Sequence, residues 1–500
     1  MHRAHRRGRV DRRGPLDTAR SPGAGAPAAR IGRRVVVNLL EQALSVVRQA
    51  QPLRIVGRVE GLKGLTVLVH DLPLPVGSLV RIGRGRGGED AGEVFGEVVG
   101  FSQDRAIVML LGQGAGIRPG DSVVGEQPMP TVGVGPNLLG RVLDGLLRPL
   151  DGRPWPRPAA RYALSPEPVG AMRRRPIREG LHTGVRAIDL MTPLGRGQRM
   201  GIFAGPGVGK STLLGSIAQN TSADVNVIAL IGERGREVRD FVESSLGDEG
   251  LARSVVIVAT GDESPLMRIR AAKAACAAAE YFRDQGLAVL LMMDSVTRFA
   301  HAQRQVGLSV GEPPSTRGYT PSVFAQMALL LERAGAIEHA DGTHSGSITG
   351  LYTILVEGDD LTEPVTDAAR GILDGHIILS RALAQKGHYP AIDVLDSVSR
   401  VAGEVCDEAH LAARRTVVRL LATYGKVEEL IQVGAYASGS DPVVDTAIEY
   451  LPVIEDLLMQ GHGDRGDFAD ARSRLVKLAH QAEESLRLRV AGRRKPEHTR

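Results

Sequence analysis

The nine residues AGPGVGKST at 204–212 constrain this chain more than any others. They follow the apolar run RMGIFA and precede LLGSIAQN, so the order is strand, glycine loop, helix. A phosphate-binding loop needs that context. Gly205, Gly207 and Gly209, with Pro206 and Val208 between them, let backbone amides turn inward around phosphate oxygens. They do so at a helix N-terminus, whose dipole favours anions. Lys210 then reaches the terminal phosphates, and Ser211, followed by Thr212, offers a hydroxyl to Mg²⁺. Ala204 replaces the first glycine of the strict pattern, while the closing Gly-Lys-Ser is intact. The loop predicts a site for ATP and Mg²⁺.

Such a metal needs a hard anionic oxygen, and hydrolysis needs a group that orients water. Asp294 ends the apolar run LAVLLMM, and Glu233 follows VNVIALI within IGERGRE. In an open parallel sheet the C-terminal strand ends face the ligand crevice. Asp294 is therefore expected as the metal-site carboxylate and Glu233 as the water-polarising base. Each has a plainer alternative. An aspartate at a strand end can cap the next helix, and Glu233 can pair on a helix surface with Arg236 or Arg239.

The loop lies inside a stretch, 128–405, where continuous apolar runs (RMGIFA, VNVIALI, SVVIVA, LAVLLMM, ITGLYTILVE) alternate with helical segments. Alternation of that kind predicts an α/β domain around a mostly parallel sheet covered on both faces. Before it, 51–127 consists of short β-branched runs broken by Gly, Pro and Asp, as in a small antiparallel β-barrel. Small barrels often stack single-stranded nucleic acid on aromatics. This one offers Phe95 and Phe101 alone, which favours a structural or oligomer-forming barrel. After it, 406–500 reads as a C-terminal α-helical domain: HLAARRTVVRLLATYGKVEELIQV, then amphipathic helix from Val443 to Leu488, then a frayed end.

The formal net charge is +5, but residues 1–34 carry ten arginines against Asp11 and Asp17, which leaves the rest of the chain at −3. That basic tail is disordered by composition; it either touches anionic lipid or nucleic acid or is a solvated extension. An amphipathic helix is expected over 35–50, with Val36, Leu39, Leu40, Ala43, Val46 and Val47 on one face. It suits a partner or membrane surface as well as packing on its own domain. Cys276 and Cys406 offer neither a disulfide framework nor metal spacing, and both sit in helical-looking segments as small hydrophobes. No apolar run has the length of a membrane span and no signal-peptide pattern opens the chain, so a cytoplasmic location is expected.

Several strings together resemble one family: GERGREVRDF (232–241), DESPLMR (262–268), DSVTRFA (294–300), GEPPSTRGYTPSVFA (311–325), EGDDLTEPVTD (357–367), HYPAIDVLDSVSR (388–400) and VGAYASGSDP (433–442). They are similar to the type III protein export ATPases, in particular the flagellum-specific ATP synthase family, and through them to the rotary F- and V-type catalytic subunits. The resemblance covers roughly residues 35–490. It implies a RecA-like nucleotide domain, with Lys210 and Ser211 on phosphate and Mg²⁺, Glu233 as the catalytic glutamate and Asp294 in the metal site. Arg234 and Arg298 match arginines of the phosphate region, Tyr389 matches the aromatic that stacks on adenine, and Arg400 matches an arginine finger supplied by the neighbouring subunit.

With Glu233 and Arg400 on one chain, a ring of identical subunits would complete every site, and the resemblance implies a homohexamer. The resemblance further implies a stator-like regulatory protein at the N-terminal helix, a central stalk protein, export chaperone–substrate complexes and an export gate at the inner membrane. The chain would then associate peripherally with that membrane. Non-catalytic strings such as EPPSTRGYTPSVF point to the flagellar rather than the virulence branch. A hexameric nucleic-acid translocase, a non-hydrolysing ring subunit and an ion-coupled synthase subunit are the alternatives. The aromatic-poor barrel and the acidic body count against nucleic acid as a partner.

Overall fold

Six short strands close on themselves before the phosphate loop is reached: β1 (Val56–Lys63), β2 (Thr66–His70), β3 (Leu79–Ile82), β4 (Val94–Ser102), β5 (Arg105–Leu110) and β6 (Ser122–Gln127). Their order is β1-β2-β5-β4-β3-β6, and β6 pairs back on β1 through Val56–Val124 and Arg58–Ser122. Alternate residues point inward, so Val59, Val67, Val69, Val80, Ile82, Val98 and Val108 fill the interior. The strand β6 (SVVGEQ) has too little apolar alternation to stand out in the sequence; closure of the barrel recruits it. The computed structural model describes residues 54–83, 93–338, 344–356, 358, 360–461 and 463–493. The arginine-rich tail 1–34 and the helix expected over 35–50 lie outside the described residues.

The chain then passes through β7 (Thr131–Val134), β8 (Arg141–Asp144) and β9 (Ala160–Ala163), and through the short pair β10 (Gly180–Leu181) and β11 (Leu194–Gly195). The main sheet follows, from β12 (Arg199–Ala204), β13 (Val225–Ile231), β14 (Ser254–Ala259), β15 (Ala288–Asp294), β16 (Gly335–Glu338), β17 (His344–Leu355), β18 (Gly375–Leu379) and β19 (Ile392–Ser399). With β8 it has the order β19-β18-β12-β17-β15-β13-β14-β8, and β16 pairs β17 off that path. The pairings are parallel except for β19 on β18 and β16 on β17. Every residue of β13, β14 and β15 is buried, as the unbroken apolar runs require. The alanine-rich helix Pro265–Asp284 lies against β13, β14, β15 and β17, its small side chains allowing close approach.

Three helices end the fold: Glu408–Gln432, Pro442–Leu458 and Phe468–Arg493. The stretch from Val443 to Leu488 is thus two helices, the first opened by an Asp441 cap with Pro442 in its first turn. Cys276 is buried in its helix, but Cys406 is half-buried in the turn after Ala402–Val405, where Asp407 caps the next helix and a helical Cys406 is excluded. Among the described residues no helix is long and apolar enough to cross a membrane.

The turn after β8 is held by a buried bidentate ion pair, Arg141 Nε and Nη2 donating to Asp151 Oδ2 (2.6 Å) and Oδ1 (2.9 Å). The Arg141 guanidinium holds the Asp151 carboxyl down at about 2. Asp151→Ala leaves the part-buried guanidinium without its carboxylate, a loss of about 2–3 kcal/mol, to be seen as a lower denaturant midpoint. Because the folded pKa is depressed, this contribution is full above the unfolded value of about 3.9 and is lost as pH falls from there toward 2. The variant's deficit should therefore shrink in acid.

Candidate nucleotide site

The phosphate-loop helix Lys210–Asn220 begins without a side-chain cap, on Gly209 in the left-handed region (φ 87°). Other helices are capped by Ser264, Ser295, Glu363, Asp407 and Asp441. The first-turn amides of Lys210–Asn220 are therefore not taken up by a side-chain cap. Gly207 also has positive φ (78°), and a Cβ there would meet nothing within 4 Å, so its concave side is open. A phosphate fits such a start.

Three strands deliver the charged groups. Lys210, one loop beyond β12, directs Nζ at the Asp294 carboxylate at the end of β15 and lies 3.5 Å from Glu233 Oε1, two residues beyond β13. Asp294 is buried and also accepts from Thr353 Oγ1 of β17 at 2.7 Å. It does not cap the following helix; Ser295 does. Burial pushes Glu233 above the usual carboxylate range, Asp294 and Glu237 reinforcing this against Lys210. Glu237, held low by Arg234, shares a hydrogen bond with Glu233. Ser211 is exposed at the helix start. A serine hydroxyl and an aspartate carboxylate are hard-oxygen donors of the kind Mg²⁺ takes. Among the described residues no three His, Cys, Asp or Glu cluster around a metal position, so an ion here would draw most of its shell from phosphate and water.

The remaining expected residues lie at different distances from this centre. Arg298 packs its stem over Gly232 and keeps a buried Nε without a protein partner. Arg234 is exposed and turned to Glu237, at 2.6 Å. Tyr389 stands beside Gly209 and walls a cavity of about 310 Å³ with Val208, Thr212, Leu213, Pro390 and Gln460. Arg400 is not in the cluster: it follows β19 at the sheet edge, five strand spacings or about 24 Å across the sheet from β13, and because β19 is antiparallel, with Ser399 beside Gly375, it lies at the opposite end of the strands from Glu233.

Three participants escaped the sequence reading. Glu237 lies in the first turn of the helix that follows Glu233, a spacing that could have flagged it. Thr353 was hidden in an apolar strand. Gln460 carried no signal: it accepts from Arg186 N (2.9 Å) and donates to Gly184 O (2.8 Å), contacts between segments far apart in the chain.

Known proteins resemble this chain over most of its length. The ATP synthase alpha/beta family nucleotide-binding domain matches residues 184–399, its beta-barrel domain 63–125, and the T3SS EscN ATPase C-terminal domain 406–477. The flagellum-specific ATP synthase of Bacillus subtilis is 46% identical over 448 residues, 90% of this chain and 99% of the relative. The chain belongs to the flagellum-specific ATP synthase and type III secretion ATPase family. This ATPase is also 54% identical over 370 residues to the type 3 secretion system ATPase of Xanthomonas euvesicatoria, 73% of this chain and 81% of that one. The assembled ATPase EscN of the enteropathogenic E. coli type III secretion system has the same fold (TM-score 0.77, 40% identity, 85% of this chain and 100% of EscN).

The cavity beside Gly209 can take a flat base against the Tyr389 ring. Tyr389→Ala should raise KM for ATP about tenfold with kcat changed less than about twofold, and Tyr389→Phe should behave as the parent. Steady-state ATPase kinetics check both.

Proposed function

We propose that this chain hydrolyses ATP as a homohexameric motor that energises type III protein export, in the flagellar branch. The observation that carries it is the split of the site. Lys210, Glu233 and Asp294 converge, while Arg400 lies on the far edge of the same sheet. A ring of copies brings each Arg400 to its neighbour's Glu233. EscN has been solved assembled, and also in complex with its central stalk EscO; a stalk protein is accordingly the expected axial partner here. Flagellum-specific relatives from Bacillus and Salmonella align with 90% and 83% of this chain, against 73% for the Xanthomonas secretion ATPase, which supports the flagellar branch.

In this mechanism the amides of Gly205, Gly207, Val208 and Gly209 and the Lys210 ammonium hold the β- and γ-phosphates. Ser211 and Asp294 would hold Mg²⁺, which when bound neutralises charge developing on the phosphate oxygens. Glu233 orients a water in line with the γ-phosphorus and accepts its proton. The new O–P bond forms as the bond to the β-phosphate oxygen breaks, leaving ADP and phosphate. Arg298, with its free buried Nε, and Arg234, once turned from Glu237, meet the equatorial oxygens. Arg400 of the adjoining copy stabilises the charge in the transition state. The exported cargo arrives as chaperone–substrate complexes and leaves unfolded toward a gate at the inner membrane, with a stator-like regulator at the N-terminal helix.

Glu233→Gln and Arg400→Ala should each lower kcat by about 10³-fold or more. An equal mixture of the two should recover activity, since about a quarter of randomly assorted interfaces then hold an intact Glu233 opposite an intact Arg400. ATPase assays of each variant and of the mixture, with assembly verified by sedimentation, check this. Assembled mixtures that stay inactive would refute the trans arrangement.

A further inference from the structure

The cavity beside Gly209 is closed by a distant part of the chain. Just after the helix Pro442–Leu458 ends, Gln460 joins its wall next to Tyr389. The Gln460 backbone N–H donates to Tyr389 O (2.9 Å). Its side-chain amide makes three further bonds. Oε1 accepts from Arg186 N (2.9 Å), while Nε2 donates to Gly184 O and to Asp464 O, both at 2.8 Å. These partners fix the amide's orientation, since the flipped group would set donor against donor and acceptor against acceptor. Both amide hydrogens are taken, so Gln460 has no donor left with which to read a base.

The two things it joins differ in firmness. Gly184 belongs to a fixed turn, where the buried Asp189 carboxylate accepts from Thr183 N (2.8 Å), Thr183 Oγ1 (2.8 Å) and Gly184 N (2.9 Å). Arg186 then grips the end of the C-terminal helix, donating to Leu457 O (2.9 Å) and Met459 O. Tyr389 is less enclosed. Its ring is 44% exposed, so packing alone does not set where it stands, and the hold on its backbone does.

We infer that Gln460 is a positioning residue for the base. It ties the Tyr389 backbone to the Gly184 turn and so keeps the ring at the spacing from Gly209 that admits a flat base. The inference rests on Tyr389 as the wall against which the base stacks. A tie that served only to hold the C-terminal helices on the nucleotide domain would weaken the fold and treat every phosphate ligand alike. The bond from Gln460 N to Tyr389 O is what directs the effect to the base.

Steady-state kinetics of the full-length chain, at one protein concentration, test this with two competitors: ADP, which carries a base, and inorganic tripolyphosphate, which has none. Gln460→Ala should raise KM for ATP and Ki for ADP by about five- to tenfold, as for one net hydrogen bond lost, with kcat changed less than about twofold and Ki for tripolyphosphate unchanged. Gln460→Glu, equal in length but without the amide donors, should do the same. In a Tyr389→Ala background Gln460→Ala should add less than about twofold, because the two residues act as one unit. Fully additive effects, or an equal rise in Ki for tripolyphosphate, would overturn the positioning role and leave the base stack standing. A Tyr389→Ala chain with the parent's KM would overturn the stack, and this role with it. Should the Gln460 variants fail to fold, hydrogen exchange in the parent chain decides. The peptide containing Gln460 should exchange more slowly with ADP bound than with tripolyphosphate bound, and equal exchange would overturn the role.

Discussion

One ammonium group organises this molecule's chemistry. Lys210 sits between the carboxylates of Asp294 and Glu233, and each of the three reaches that point from a different strand of the sheet. The arrangement depends on the sheet being parallel, since only then do the ends of β12, β13 and β15 share one rim. It also depends on burial. A sheet covered on both faces keeps water away from the rim, which strengthens every charge interaction there and raises the Glu233 carboxyl. The uncapped helix at Gly209 adds open amide donors to the same point.

Much of this was legible in the sequence because its signals are local. Unbroken apolar runs named the buried strands β12 to β15, glycine spacing named the loop, and a charged residue after each run named Asp294 and Glu233. What was missed is long-range or short. The strand β8, with four residues, and the strand β6, with little alternation, exist because a sheet edge and a barrel gap accept them. Thr353 is an ordinary strand residue until β17 lies beside β15. Gln460 matters through bonds to Gly184 and Arg186, which no spacing rule anticipates. The alternative in which Asp294 is a helix cap fails for a local reason: Ser295, one residue on, fills that role.

The same sheet that gathers the site also separates it from Arg400. An antiparallel edge strand, β19, ends at Ser399 and puts the arginine far from its own phosphate loop. A single copy thus gathers Lys210, Glu233 and Asp294 at one rim, while the exposed Arg400 stands at the far edge of the same sheet. In the proposed ring, assembly and catalysis become one property of the fold.

The most direct test is the specific ATPase rate of the purified full-length chain as a function of its concentration, with and without single-stranded RNA or DNA. The account predicts a low rate per copy when dilute, a cooperative rise with concentration, and no response to nucleic acid. A rate per copy that is constant with concentration and stimulated by nucleic acid would contradict it.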